Sequence, residues 1–233
     1  KLNLTEGVYS GLTDLHEVTF NNINIDGASG PFINSSSIHY AFFFNNSLQQ
    51  FPRDFFKGIV NLHDVIMRDQ NILTLSKDGL SEITENLWIL ELSRCNVTTI
   101  EDEAFSKFHK LSQLNLAFNL LTELHPAMFR GLGELRRLQL QGNQITTINS
   151  QTFSTTLKLC YLYLHNNKQF ESLSDKTFKY LKFLTDVTLS GNFTEDKCMT
   201  LFEGISTLRF SPCYDVDKNS LYLLNLMRSN VAT

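Results

Sequence analysis

The chain is poor in the features that mark several common protein classes. It has 4 Pro and 11 Gly in 233 residues, too few for a collagenous or low-complexity polypeptide. Charged residues make up 19%, below the usual share of about 25%, which excludes a disordered polyelectrolyte. Twenty basic residues against 24 acidic ones give a formal net charge of −4. No electrostatic footprint for nucleic acid or anionic membrane follows from that balance. Apolar runs such as Tyr40 to Phe44 fall far short of the ~20 residues of a membrane-spanning helix. The sequence holds no G-x-S-x-G, phosphate-binding loop, H-E-x-x-H or Cys-x-x-Cys pattern, so nothing nominates an enzyme or a cofactor site.

Two residue types are abundant instead: 19 Phe and 21 Asn. Both recur at a fixed period. Lines of about 24 residues align as L-x-x-L-x-L-x-x-N-x-L-x-x-L-x-x-x-x-F-x-x-L-x-x. The clearest copy carries Leu111, Leu114, Leu116, Asn119, Leu121, Leu124, Phe129 and Leu132. Copies start near residues 15, 38, 62, 87, 111, 135, 159 and 184, and a ninth unit is conceivable from Ile205. Position 9 holds Asn46, Asn119, Asn143, Asn167 and Asn192, with Gln70 and Cys95 in the same phase. Position 19 holds Phe32, Phe56, Phe105, Phe129, Phe153 and Phe178, with Leu80 once.

This pattern closely resembles the leucine-rich-repeat family, of the 24-residue extracellular type, over roughly residues 4–195. The resemblance implies an α/β-type solenoid: a horseshoe with a parallel concave sheet, and a convex side of loops and short 3-10 or helical turns. Alternating Leu at positions 4 and 6 suits a short strand with one buried face. The Asn amides then form a ladder that bonds backbone groups left unpaired at the turn. The Phe residues form a spine on the wider convex side. Residues 1–14 read as a partial repeat, 15–195 as about eight repeats, and 196–233 as a C-terminal cap or a last irregular repeat. Cys198, Leu201, Phe202 and Cys213 are similar to a reduced C-terminal cap, closed by a short helix and a Cys198–Cys213 disulfide. The rival is a ninth repeat with Cys213 in ladder phase. No N-terminal cysteine cap or signal peptide precedes the repeats, as expected of a fragment or a trimmed mature form.

Compartment is read from sequons and cysteines. Asn3, Asn34, Asn45 and Asn96 head Asn-x-Ser/Thr acceptors expected to carry sugar. Asn192 heads a fifth but belongs to the ladder. The 4 cysteines permit three connectivities if all are paired; Cys95 reads as a buried ladder thiol and Cys160 as an unpaired edge residue. The expected location is secreted or extracellular.

In a solenoid of this type, positions 3, 5 and 7 of each strand face outward from the concave wall. Eight strands about 4.8 Å apart span roughly 35–40 Å. Two clusters stand out there. Tyr40, Phe42, Phe44, Ile66 and Ile89, flanked by Trp88 and accompanied by Arg68 and Glu91, form an apolar patch. Tyr161, Tyr163 and His165 form an aromatic strip beside Arg136 and Arg137. Exposed contiguous apolar area marks interaction sites, and aromatic and Arg side chains are the usual anchors. The run Tyr40–Phe44 lacks polar alternation to fix its face, so a shifted register would instead bury Phe42 and Phe44. His16, His39 and His63 occupy position 2 of consecutive repeats and would stack along one edge. They are a candidate for a metal site or an acid-sensitive edge, the alternative being a plain row of solvated histidines.

The expected function is recognition without catalysis or cofactor. The irregular repeats, high Phe content and reduced cap look like arthropod secreted leucine-rich immune proteins, of the mosquito type, and Toll-type receptor ectodomains. That likeness implies an innate-immune module binding a protein or a microbial surface through its concave face, as a monomer or a homo- or heterodimer. The alternatives are an ectodomain cut from an adhesion or signalling receptor, and a structural matrix protein.

Overall fold

The computed structural model describes residues 14–23, 36–168, 170, 172–191 and 193–209. In chain order the strands are β1 (Glu17–Asn21), β2 (Tyr40–Phe44), β3 (Asp64–Arg68), β4 (Thr74–Leu75), β5 (Ile89–Ser93), β6 (Thr99–Ile100), β7 (Gln113–Asn115), β8 (Arg137–Gln139), β9 (Thr147–Ile148), β10 (Tyr161–Tyr163), β11 (Ser172–Leu173) and β12 (Asp186–Thr188). One helix, α1 (Glu195–Leu201), follows, and 3-10 turns lie at Arg53–Phe56 and Pro126–Phe129. Eight strands form one sheet in the order β1-β2-β3-β5-β7-β8-β10-β12, so each repeat adds one strand beside the last. The pairings are parallel. The shorter strands pair as β4–β6 and β9–β11 on the outer side of the coils.

The repeat phase fixes the sheet register. Val18, Ala41, Val65, Leu90, Leu114, Leu138, Leu162 and Val187 lie in one row across the sheet. All eight are buried. A one-residue slip would turn the whole row outward, so burial holds the register.

Each strand ends in a residue with left-handed backbone at position 8. Asn22, Asn45, Asp69, Arg94, Phe118, Gly142, Asn166 and Gly191 have φ between 53° and 121°. Asn, Asp and Gly tolerate that conformation, while Arg94 and Phe118 occupy it against their preference. The turn leaves amides and carbonyls facing inward, and position 9 satisfies them. Asn143 shows the arrangement: its Oδ1 accepts from the Leu121 amide at 3.1 Å, and its Nδ2 donates to the carbonyls of Leu116 and Leu140 at 2.9 Å. Asn119 receives both the Cys95 and Val97 amides. Gln70 spans the same gap, from the Leu48 amide to the Phe43 carbonyl. Cys95 supplies only half of this bonding, because its thiol contacts the Met67 and Ser93 carbonyls at 3.4 Å. Burial pushes that thiol up to about 12, which leaves it a weak donor rather than a nucleophile. Asn167 keeps the ladder contacts but is only half-buried. Asn192 lies outside the described residues.

The Phe spine is present as well. Phe56, Phe105, Phe129, Phe153 and Phe178 are fully buried, and Leu80 takes the same layer. The rings of Phe129 and Phe153, and of Phe153 and Phe178, stack at 6.1 and 6.0 Å. Phe202 extends this stack, 5.1 Å from Phe178, and stands at position 19 of the copy that starts at Leu184. Phe32 lies outside the described residues. After α1, whose Thr194 side chain caps the Lys197 amide, Ile205 and Leu208 are buried. The Arg209 amide bonds the Thr185 carbonyl at 2.7 Å, so the chain returns to the last edge of the sheet.

Candidate functional site

The concave wall collects the odd-numbered strand positions, and strand alternation decides which of them are free. In β2 the pattern is exposed, buried, half-buried, buried, half-buried from Tyr40 to Phe44. Phe43 is fully buried and meets Phe20 and Phe55 at 5.3 and 5.0 Å. Phe42 and Phe44 therefore point to the concave side, where their rings lie 6.2 Å apart. The shifted register that would bury them is not adopted.

Around that pair, Ile66 and Ile89 are half-buried, while Tyr40 and Trp88 are 40% and 54% exposed. The polar members of the patch are tied together. Arg68 ion-pairs with Glu91 on the neighbouring strand, and its guanidinium lies 6.0 Å from the centre of the Phe44 ring. Ser93 donates to the same Glu91 carboxylate at 3.0 Å. The Glu91 hydrogen bond raises the Arg68 pKa against a smaller opposing effect of burial.

The second cluster also assembles. The Arg137 guanidinium lies 4.6 Å from the Tyr161 ring centre and 6.0 Å from that of Tyr163. Tyr163 meets His165 edge-on at 6.5 Å, and the His165 Nδ1 lies 2.7 Å from the Thr188 hydroxyl. Between the two clusters β7 presents Gln113 and Asn115, so the wall carries two aromatic zones with a polar strip between them.

Along the edge, His16 and His39 lie 5.6 Å apart and His39 and His63 5.0 Å apart. The row continues into Trp88, which stacks on His63 at 5.3 Å. Among the described residues no group of three or more His, Cys, Asp or Glu side chains could hold a metal ion. The three imidazoles meet one another as rings in a row.

Asn45 and Asn96 are exposed, and the Asn96 amide donates to Asn71 at 3.1 Å. Asn3 and Asn34 lie outside the described residues. Cys95 and Cys160 are free thiols. Cys198 is buried on α1, and Cys213 lies outside the described residues.

Sequence reasoning puts Asp64 at an outward position of this wall but does not single it out as a site residue. It opens β3, its Cα paired with Tyr40 on one side and Ile89 on the other. Its carboxylate is half-buried, and burial raises its pKa, with His63 opposing. The available signal is its position: an acid at position 3, between Tyr40 and Ile89 of the neighbouring strands.

Known proteins share this architecture. A leucine-rich-repeat family model matches residues 85–145 and 133–193. Human Toll-like receptor 8 is 29% identical over 153 residues, covering 63% of this chain and 14% of the receptor. Mouse lumican is 28% identical over 127 residues, covering 54% of this chain and 36% of lumican. The chain thus spans a small part of the length of these relatives. The structure of an octameric complex of latrophilin 3, Unc5D and the leucine-rich-repeat domain of FLRT2 superposes with a TM-score of 0.74. It is 24% identical in sequence and covers 86% of this chain and 63% of its own, a likeness of fold. No helix among the described residues is long and apolar enough to cross a membrane. With an unbroken parallel sheet, an Asn ladder, a Phe spine and this family match, the chain belongs to the leucine-rich-repeat family.

Proposed function

We propose that this chain is an extracellular, non-enzymatic recognition module that binds a protein or microbial ligand through its concave face in innate immunity, without a cofactor. The observation that carries the reading is the aromatic belt of Tyr40, Phe42, Phe44 and Trp88, left facing solvent on a wall whose other side is fully packed. Water-exposed contiguous rings are costly unless a partner covers them. The second zone of Arg137, Tyr161, Tyr163 and His165 supplies further anchors of the types that dominate interfaces. Relatedness to Toll-like receptor 8 and lumican, and a fold shared with a domain solved in a multi-protein assembly, support recognition of another macromolecule. Sugar on Asn45 and Asn96, and a Cys198–Cys213 bridge closing the last coil, complete the extracellular reading. The disulfide-bonded state of Cys198 supports that bridge. A second reading, the ectodomain of an adhesion or signalling receptor, is favoured by the likeness to a Toll-like receptor.

The test is the double variant Phe42→Ser/Phe44→Ser. It should lose capture of partners from extracellular fluid while keeping stability within about 1 kcal/mol of the parent, because both rings are partly solvated already. Unchanged capture would defeat the assignment of the belt.

A further inference from the structure

The apolar belt contains one carboxylate that makes no hydrogen bond or salt bridge among the described residues, with only the adjacent His63 acting on it electrostatically. Asp64 sits between Tyr40 and Ile89 on the concave wall and directly after His63 in the edge row. It forms no hydrogen bond or ion pair through its carboxylate among the described residues. The contrast with its neighbour is sharp: Glu91 holds both Arg68 and Ser93, and Arg68, the cation of this region, is thereby engaged. A half-buried anion between Tyr40 and Ile89 has lost part of its hydration, and the adjacent His63 only partly offsets that loss. The Tyr40 ring on one side offers its negative face to a cation that enters, and Ile89 on the other offers an apolar surface.

We propose that Asp64 is the anchor for a basic side chain of a protein ligand: a Lys or Arg, flanked by apolar residues, inserted between Tyr40 and Ile89 with its charged head on Asp64. The proposal rests on the belt being a ligand site and names what that site selects. Charge complementarity picks out the occupant. A purely apolar ligand would bury the carboxylate without compensation, and an anionic one would face it directly, so both are disfavoured. A basic group converts the same carboxylate from a cost into the polar contact that fixes orientation. Its aliphatic stem lies along Tyr40 and Ile89 while its head reaches the anion.

Selection from a library of displayed random peptides, at neutral pH on the whole chain, tests this. Parallel selections use Asp64→Asn and Phe42→Ser/Phe44→Ser. Wild type should enrich peptides carrying Lys or Arg next to apolar residues. The synthetic winners should bind Asp64→Asn about tenfold or more weakly, as expected for loss of a desolvated charge pair. Replacing the basic residue of a winner by norleucine should cost the same on wild type and nothing further on Asp64→Asn. Peptides that depend on Phe42 and Phe44 but show no basic preference, or bind Asp64→Asn equally well, would overturn this proposal and leave the belt standing as a site. Failure to recover any peptide dependent on Phe42 and Phe44 would overturn both.

Discussion

The ring of Phe118 fills the space that a side chain on Gly142 would need. A Cβ at Gly142 would lie 2.4 Å from Cδ1 of Phe118. The two residues occupy position 8 of adjacent repeats, both with left-handed backbone, and the Arg94 guanidinium one repeat earlier lies 5.2 Å from the Phe118 ring centre. Gly142→Ala therefore meets two penalties. The positive φ costs about 1–2 kcal/mol for a residue with a Cβ, and moving the ring adds about 1 kcal/mol or more. In a Phe118→Ala background only the backbone penalty should remain. Urea denaturation of the four proteins of this cycle gives the coupling; additive effects would show that the ring yields freely.

The ladder gives a pair of opposite expectations. Asn143→Ala removes one acceptor and two donor contacts from buried backbone, and should destabilise the fold by about 2–4 kcal/mol. Faster amide exchange should follow at Leu121 in particular. Cys95 is the weak rung: its thiol hydrogen is directed at carbonyls, and it has no oxygen to match the Oδ1 that Asn119 offers the Val97 amide. Cys95→Asn should supply that oxygen to the preceding coil and stabilise by about 1 kcal/mol. A loss of stability on thermal denaturation would show that the slot holds only sulfur.

These residues also show how far sequence reading reaches. The sheet, ladder and spine are legible because each uses one residue type at one phase, repeated until chance is excluded; even Gln70 and Cys95 are recognisable as substitutes by phase alone. Position 8 is not legible because its requirement is conformational. Asn holds it three times and Gly twice, but Asp, Arg and Phe occupy it too, so no single letter marks it. The face of Tyr40–Phe44 is ambiguous within its own strand, and only the packing of Phe43 against Phe20 and Phe55 settles it. The pairing of Arg68 with Glu91 depends on which neighbour a long side chain selects across strands, and repeat phase carries no information on that choice. The same holds for Asp64, whose meaning lies in the partner it lacks.

Asp64 yields the last expectation, in which stability and binding separate. Burial raises its pKa above that of an ordinary aspartate, so the folded chain holds this proton more readily than the unfolded chain does. The sign follows from linkage: the ionised carboxylate costs stability above its folded pKa, and the cost is relieved as pH falls through that value toward the unfolded one. Asp64→Asn should therefore raise the melting temperature slightly at neutral pH, by less than about 1 kcal/mol equivalent because solvent screens a half-exposed group. The advantage over the parent should shrink and vanish on acidification, as Asp64 itself becomes neutral. Melting curves of both proteins from pH 7 downward measure it. A variant less stable than the parent at neutral pH would mean that the carboxylate has a supporting partner in solution, and would remove the reason for it to seek one on a ligand.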